Sequence, residues 1–133
     1  AFLAAGVPVG AICHGTLVLS RAVDPETGKS ALEGRTVTAL TKVLERLAYW
    51  ITAWRLGGYY RTYPAYVQDE VHEALGPGGE FKTGPLFASY SSPFVVNDQN
   101  LVTARWPGDA QGFADALLAK IRARPQPGSA PSE

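Results

Sequence analysis

Residues Val9 to Thr16 read VGAICHGT and give the clearest indication of how this chain folds. Apolar residues lead up to Cys13, the only cysteine of the sequence, as in a short buried strand. His14 and Gly15 then predict a sharp backbone turn, because a core strand rarely continues into an imidazole and a glycine. A helix is predicted from His14 to Val23. This geometry would present Cys13 at the carboxyl end of a parallel sheet, where open α/β folds bind ligands.

The chemistry of Cys13 has two interpretations. A lone cysteine after an apolar run is often a buried and unreactive side chain. At a strand-to-helix turn, however, the helix amino terminus and an adjacent imidazole lower the thiol pKa, and the thiolate is the reactive form. We predict a reactive Cys13 with a lowered pKa and His14 as its base. The backbone of His14 and Gly15 would face the oxyanion of a reaction at this turn.

Length and composition limit the class of protein. A chain of 133 residues accommodates one domain, and its 46% hydrophobic residues are typical of a globular protein. Zero formal net charge and the lack of a basic run argue against nucleic acid or an anionic membrane as a partner. A single cysteine allows no internal disulfide and fits a reducing compartment, so we expect a cytoplasmic location.

The first 12 residues are apolar, but they are too short to span a bilayer and lack the basic start of a signal peptide. Because the chain starts with Ala1 rather than with Met, we expect it to begin inside a larger protein.

Periodicity and chain breakers predict the other elements. For the first half of the chain these are a helix end at residues 1–5, strands at Val7–Ile12 and Thr36–Ala39, and a long helix from Leu40 to Gly57. The second half is predicted to start with a helix at Val67–Leu75 and an extended piece within Phe81–Phe87. Strands at Phe94–Val96 and Leu101–Thr103 then flank the turn Asn97–Asn100. A last helix capped by Asp109 and a disordered tail at 123–133 complete the chain.

Three groups of residues outside the turn have structural interpretations. Trp50 and Trp54 lie four residues apart on one helix, which favours packing, and Asp98 is interpreted as a turn residue. The remaining group has the ligand types of a metal site but lacks a histidine pair at helical spacing, and we interpret it as a solvated helix face. It consists of Asp69, Glu70, His72 and Glu73.

The strand before Cys13 is uncharged throughout, as in a parallel strand with neighbours on both sides. The rest of the chain offers one further core strand, a hairpin and an extended piece, which are too few for a doubly wound sheet. We therefore expect an amino-terminal half of the domain, supplied by the same polypeptide or by a separate one.

Three stretches together resemble a known family. They are the turn within residues 4–15, the segment at residues 32–38 and the hairpin at residues 95–105. In their order they resemble the ThiJ/PfpI superfamily, relatives of the class I glutamine amidotransferases. The resemblance implies an α/β fold, a flavodoxin-like three-layer sandwich with a mostly parallel sheet. Residues 1–122 would form only its carboxyl-terminal part, and a homodimer is the usual assembly.

The heat-shock chaperone and glyoxalase III branch of the superfamily uses a cysteine, the next histidine and an acid in a Thr-x-x-x-Glu pattern. The segment from Thr41 to Glu45 fits that pattern. The resemblance thus implies Cys13 as nucleophile, His14 as base and Glu45 as orienting acid. Glu45 also has a simpler interpretation, as an exposed glutamate paired with neighbouring cations on its helix.

The implied activity is that of a cysteine-dependent enzyme acting on a small carbonyl compound, without cofactor or metal. Glyoxalase III or deglycase activity, and a hydrolase or amidase reaction, would use the same residues. The alternative is a non-enzymatic oxidative-stress sensor or a chaperone-like protein with the same reactive cysteine.

Overall fold

The computed structural model describes residues 2–59, 64–86 and 91–124. The strands in these ranges are β1 (Val9–Ile12), β2 (Thr36–Val37), β3 (Glu80–Phe81), β4 (Val95–Asp98) and β5 (Leu101–Ala104). The helices are α1 (Thr16–Arg21), α2 (Lys42–Leu56), α3 (Val67–Leu75) and α4 (Ala110–Ala123). Single turns of 3₁₀ helix at Cys13–Gly15 and Pro107–Asp109 precede α1 and α4.

Three strands form the central sheet in the order β1-β5-β4. β1 runs parallel to β5, with Val9 opposite Leu101 and Ile12 opposite Ala104. β4 and β5 form the predicted hairpin, but Asp98 belongs to β4 and pairs with Leu101, so the turn is shorter than expected. Gln99 in that turn has a φ of 50°, which matches the tight reversal. Among the described residues, β1 pairs with a strand on one side only.

Helices cover both faces of this sheet. On one face α4 approaches β1 at Gly10, where an added Cβ would lie 2.7 Å from the Phe113 ring. On the other face, Leu101 joins a buried apolar cluster that α1 and α3 complete. Members of that cluster from the helices and the segment between them are Leu17, Leu32, Val37, Val67, Val71 and Leu75. The layers confirm the predicted α/β sandwich with parallel strands.

Side chains attach β2 to the hairpin. The Thr38 amide donates to Thr103 Oγ1 at 2.9 Å, and the Thr36 amide donates to the Asp98 carboxylate at 2.7 Å. The predicted strand Thr36–Ala39 is therefore shorter than expected, because the Thr38 amide bonds a side chain instead of a neighbouring strand. Asp98 holds β2 in place, and the interpretation as a turn residue is wrong.

Asp109 lies at the start of α4, but its carboxylate does not cap the helix. It accepts hydrogen bonds from Arg105 Nε at 3.0 Å, from Arg105 Nη2 at 3.2 Å and from the Phe94 amide at 2.8 Å. Both members of the ion pair are fully buried, with 1% and 0% of their side chains exposed. Asp109 thus occupies the predicted N-cap position, but its carboxylate connects β5, the segment before β4 and α4 instead of bonding the helix amides.

Several boundaries differ from the sequence predictions. Residues 2–6 form turns rather than a helix end, and α1 starts at Thr16 because the turn after Cys13 is a 3₁₀ helix. α2 starts at Lys42 instead of Leu40, whereas its end at Leu56, directly before Gly57 with its φ of 55°, agrees with the prediction. The predicted tail at 123–133 lies outside the described residues from position 125 onward. Of the predicted extended piece Phe81–Phe87, position 87 also lies outside them. Within the described ranges, no helix combines the length and apolar character needed to cross a membrane.

Candidate active site

The chain turns sharply where β1 ends. Cys13 has a φ of 59°, in the left-handed region that residues with a Cβ rarely adopt. Such a conformation costs about 1–3 kcal/mol, and the packed strand and helix on either side hold it in place. The predicted sharp turn is therefore present, and it leaves the Cys13 side chain half-buried at the carboxyl end of the strand.

Cys13 and His14 contact each other through their side chains. The distance from Cys13 Sγ to His14 Nδ1 is 3.4 Å, so the imidazole is placed to exchange a proton with the sulfur. Burial raises the pKa of the Cys13 thiol above its ordinary value, because the thiolate loses hydration. A hydrogen bond from the His14 backbone opposes this rise, and the charge of Glu45 adds to it. The prediction of a lowered thiol pKa is therefore wrong, because the loss of hydration raises the pKa more than the hydrogen bond from the His14 backbone lowers it.

Glu45 reaches the site from the first turn of α2. Thr41 caps this helix, with Oγ1 accepting from the Leu44 amide at 3.4 Å, and the Thr41 carbonyl accepts from the Glu45 amide at 2.9 Å. The Thr-x-x-x-Glu spacing therefore places the glutamate one turn after the cap. Its side chain is 5% exposed, and Oε2 accepts from the Val67 amide at 3.2 Å. The simpler interpretation of an exposed glutamate is wrong.

Cys13, His14 and Glu45 line the same cavity, which we call the Cys13 cavity. Its volume is about 440 Å³. Most of its wall is apolar and comes from α2, from Leu40 two residues before α2, and from the segment after β5. The wall includes Leu40, Leu44, Leu47, Ala48, Ile51 and Trp106.

The walls of the Cys13 cavity were not recognised from the sequence. Leu44 and Ile51 recur at helical spacing, which predicted the helix, and their spacing with Ala48 is the signal that marks a shared face. Trp106 carries no local signal, because its position depends on the pairing of β5 with β1.

Comparison with known families identifies the chain. The model of the DJ-1/PfpI family matches residues 1–120. The chain belongs to this family. The resemblance to the ThiJ/PfpI superfamily is confirmed, and the turn at Cys13 lies inside the matched region.

Solved structures share the fold of this DJ-1/PfpI chain. The protein APC35852 superposes with a TM-score of 0.72 and 25% sequence identity over 93% of this chain and 48% of that one. Glyoxalase III from Candida albicans superposes with a TM-score of 0.65 and 23% sequence identity, over 89% of this chain and 45% of that one. The rapid encystment protein of Francisella tularensis superposes with a TM-score of 0.69 and 24% sequence identity, also over 89% of this chain and 45% of that one. The chain spans about half of the length of these proteins.

Two matches, both to the same photosystem protein from different organisms, lie outside the family. Photosystem I P700 chlorophyll a apoprotein A2 of Cyanophora paradoxa is 27% identical over 132 residues, which cover 87% of this chain and 17% of that protein. This identity and coverage do not assign the chain to that protein's family.

The tryptophans of α2 do not pack against the described part of this DJ-1/PfpI domain. Trp50 is 70% exposed and Trp54 is 80% exposed, and the indole of Trp54 donates to the Ile51 carbonyl of its own helix at 2.9 Å. The sequence favoured packing, and within the described residues that interpretation is wrong.

Two acidic residues of α3 form ion pairs with other helices. Arg21 Nε and Nη2 donate to Glu70 at 2.5 and 2.9 Å, and Lys42 Nζ lies 2.6 Å from Asp69. The hydrogen bonds from Arg21 lower the pKa of the Glu70 carboxyl. These residues connect α3 to α1 and α2. In residues 2–59, 64–86 and 91–124, no group of three potential metal-ligating side chains is present.

Proposed function

We propose that this DJ-1/PfpI chain carries a cysteine-dependent site that converts small carbonyl compounds, as in the glyoxalase III and deglycase branch. One observation carries the proposal: Cys13 Sγ lies 3.4 Å from His14 Nδ1 in a cavity that Glu45 also lines. The same fold in glyoxalase III of Candida albicans supports this choice of reaction. Cys13 is the nucleophile, His14 the base and Glu45 the acid that favours the imidazolium.

The reaction begins with a neutral thiol, because burial raises the pKa of Cys13. Sulfur adds to the aldehyde carbon of a 2-oxoaldehyde, the S–C bond forms, and the thiol proton passes to His14. The carbonyl π electrons become an oxyanion, to which the amides of His14 and Gly15 donate. Protonation of this oxyanion gives a hemithioacetal.

A proton shift then completes the chemistry. The hydrogen on the former aldehyde carbon leaves as a proton to His14 and returns to the neighbouring carbon. The hydroxyl proton of the former aldehyde carbon passes to the oxygen of that neighbouring carbon. The first carbon is thereby oxidised to a thioester and the second is reduced to an alcohol, so no external oxidant takes part. Water hydrolyses the thioester, releases a 2-hydroxy acid and restores the thiol.

The test is turnover of methylglyoxal by the chain without added cofactor. We expect lactate as product and, after acid quenching, a mass adduct on the peptide that contains Cys13. An absence of product, or a product formed without any adduct on that peptide, would contradict the proposal.

The pH dependence of Cys13 reactivity follows from the raised pKa of its thiol. Between pH 7 and 9 the thiolate fraction is smaller than in free cysteine, so the alkylation rate by iodoacetamide should rise at a higher pH than it does for N-acetylcysteine. In Glu45→Gln the negative charge is gone, so the pKa falls and the rate profile moves to lower pH. Glu73→Gln, on the exposed face of α3, is the matched control and should leave the profile in place.

The oxidative-stress sensor is the less favoured function. Oxidation to sulfenic and sulfinic acid starts from the thiolate, and the raised pKa of Cys13 makes the thiolate scarce at neutral pH. In an enzyme, a base beside the sulfur can remove the thiol proton during the reaction, so the thiolate need not be populated in the free protein.

We also propose that β1 receives a further strand as neighbour, from the same polypeptide or from another. The support is that β1 pairs with β5 alone among the described residues, although parallel strands usually lie inside a sheet. The homodimer and the cytoplasmic location remain predictions.

A further inference from the structure

The Cys13 cavity has reactive groups at one end and an apolar floor along α2. Leu44, Ala48 and Ile51 follow each other at helical spacing and form one stripe that leads away from Cys13. Trp106, from the segment after β5, also contributes to the wall. The stripe ends at Ile51, which is 61% exposed, so the far end of the cavity is open.

Charge at the wall is confined to the reactive end. Glu45 is the only carboxylate among the described lining residues, and neither Lys nor Arg is among them. A substrate with an anionic substituent would find no Lys or Arg among the described lining residues and would face the Glu45 charge. An apolar substituent, by contrast, would remove the leucine and alanine side chains from water.

The size of the cavity also bears on the substrate. Its volume of about 440 Å³ lies within the range of sites that hold drug-sized ligands, roughly 300–1,000 Å³. Methylglyoxal carries only a methyl group beside its two carbonyls and would leave the stripe along α2 uncovered.

Building on the proposed function, we infer that the Cys13 cavity selects carbonyl compounds whose carbonyl carries an uncharged apolar group larger than methyl, an alkyl chain or an aryl ring. The reacting carbon lies at Cys13, and the apolar group lies along Ala48 toward Ile51. The covalent steps are those given above and involve no additional reactant.

The first test compares two 2-oxoaldehydes. We expect kcat/KM for phenylglyoxal to exceed that for methylglyoxal by at least about tenfold, since one methylene in an apolar pocket already changes kcat/KM by roughly that factor. Ala48→Leu fills part of the space beside the apolar stripe and should reduce the preference for phenylglyoxal over methylglyoxal at least severalfold. The control Ala53→Leu places the same side chain on the same helix, outside the described wall, and should preserve it.

The second test does not need turnover. Cys13 is the only cysteine of the chain, so alkylation reports on this site alone. Rates with N-hexyl iodoacetamide and with iodoacetamide are each divided by the rate of the same reagent with N-acetylcysteine. We expect the normalised rate to be at least about tenfold higher for the hexyl reagent than for iodoacetamide. Ala48→Leu should lower this ratio, and Ala53→Leu should leave it unchanged.

The two tests separate the inference from the proposed function. A preference for the hexyl reagent without turnover of either aldehyde contradicts the enzyme and leaves the apolar selectivity of the cavity in place. Turnover that depends on Cys13 but favours methylglyoxal overturns the inference and leaves the enzyme. Equal normalised alkylation rates, or no reaction of Cys13 with either reagent, also overturn it.

Discussion

Replacement of Cys13 by serine is expected to lower kcat for 2-oxoaldehydes by at least about 10³-fold, as loss of a nucleophile does in other enzymes. Serine has nearly the same shape, so the contact with His14 and the left-handed backbone at this turn can persist. Its hydroxyl is a far weaker acid than a thiol, so His14 and Glu45 activate it less than they activate the thiol. The measurement is the steady-state rate of hydroxy-acid formation at pH 7.

The loss must be separated from misfolding. Urea unfolding of Cys13→Ser should give a midpoint close to that of the unmodified chain, since the substitution removes no packed carbon. A variant that folds normally and retains turnover within tenfold would refute Cys13 as nucleophile.

Substitution of Asp109 by alanine is expected to lower the free energy of unfolding by roughly 3–5 kcal/mol. The carboxylate accepts from the Arg105 guanidinium and from the Phe94 amide, and it is fully buried. Its removal leaves the Arg105 cation in the interior without its counter-charge. The remaining acceptors are the carbonyls of Thr83 and Pro85, at 3.3 and 2.5 Å from Nη1, and a carbonyl does not neutralise a charge.

Glu70→Ala provides the matched control for Asp109→Ala. Glu70 also pairs with an arginine through two hydrogen bonds, but a quarter of its side chain and half of that of Arg21 are exposed. Exposed pairs contribute about 0–1 kcal/mol, so this variant should unfold at nearly the same urea concentration as the unmodified chain. Similar midpoints for the two variants would show that burial does not decide the strength of the Arg105 pair.

Local signals in the sequence predicted the reactive turn and the family. The strand, the turn and the cysteine are neighbours along the chain, and a glycine next to an imidazole after an apolar run marks a backbone reversal by itself. The hairpin and α3 were predicted for the same reason. The spacing from Thr41 to Glu45 follows from helix geometry once the cap is known.

The pKa of Cys13 and the burial of Glu45 depended on segments distant in sequence. The neighbourhood of Cys13 predicted a lowered pKa, but the packing of the turn against the rest of the domain removes water and raises it. Glu45 is buried because the start of α3, 22 residues away, lies over its carboxylate.

The strand and the turn with its cysteine and histidine could be predicted from the sequence alone, because each depends on residues that are neighbours along the chain. The family could be predicted as well, because three stretches match its pattern in order. Which α2 side chains line the Cys13 cavity, and the exposure of Trp50 and Trp54, follow only from the packing of the folded chain. The same packing directs the carboxylate of Asp109, at the predicted N-cap position of α4, to Arg105 instead of to the helix amides. These outcomes depend on how much water is excluded when distant segments meet, and residue spacing along the chain does not carry that information.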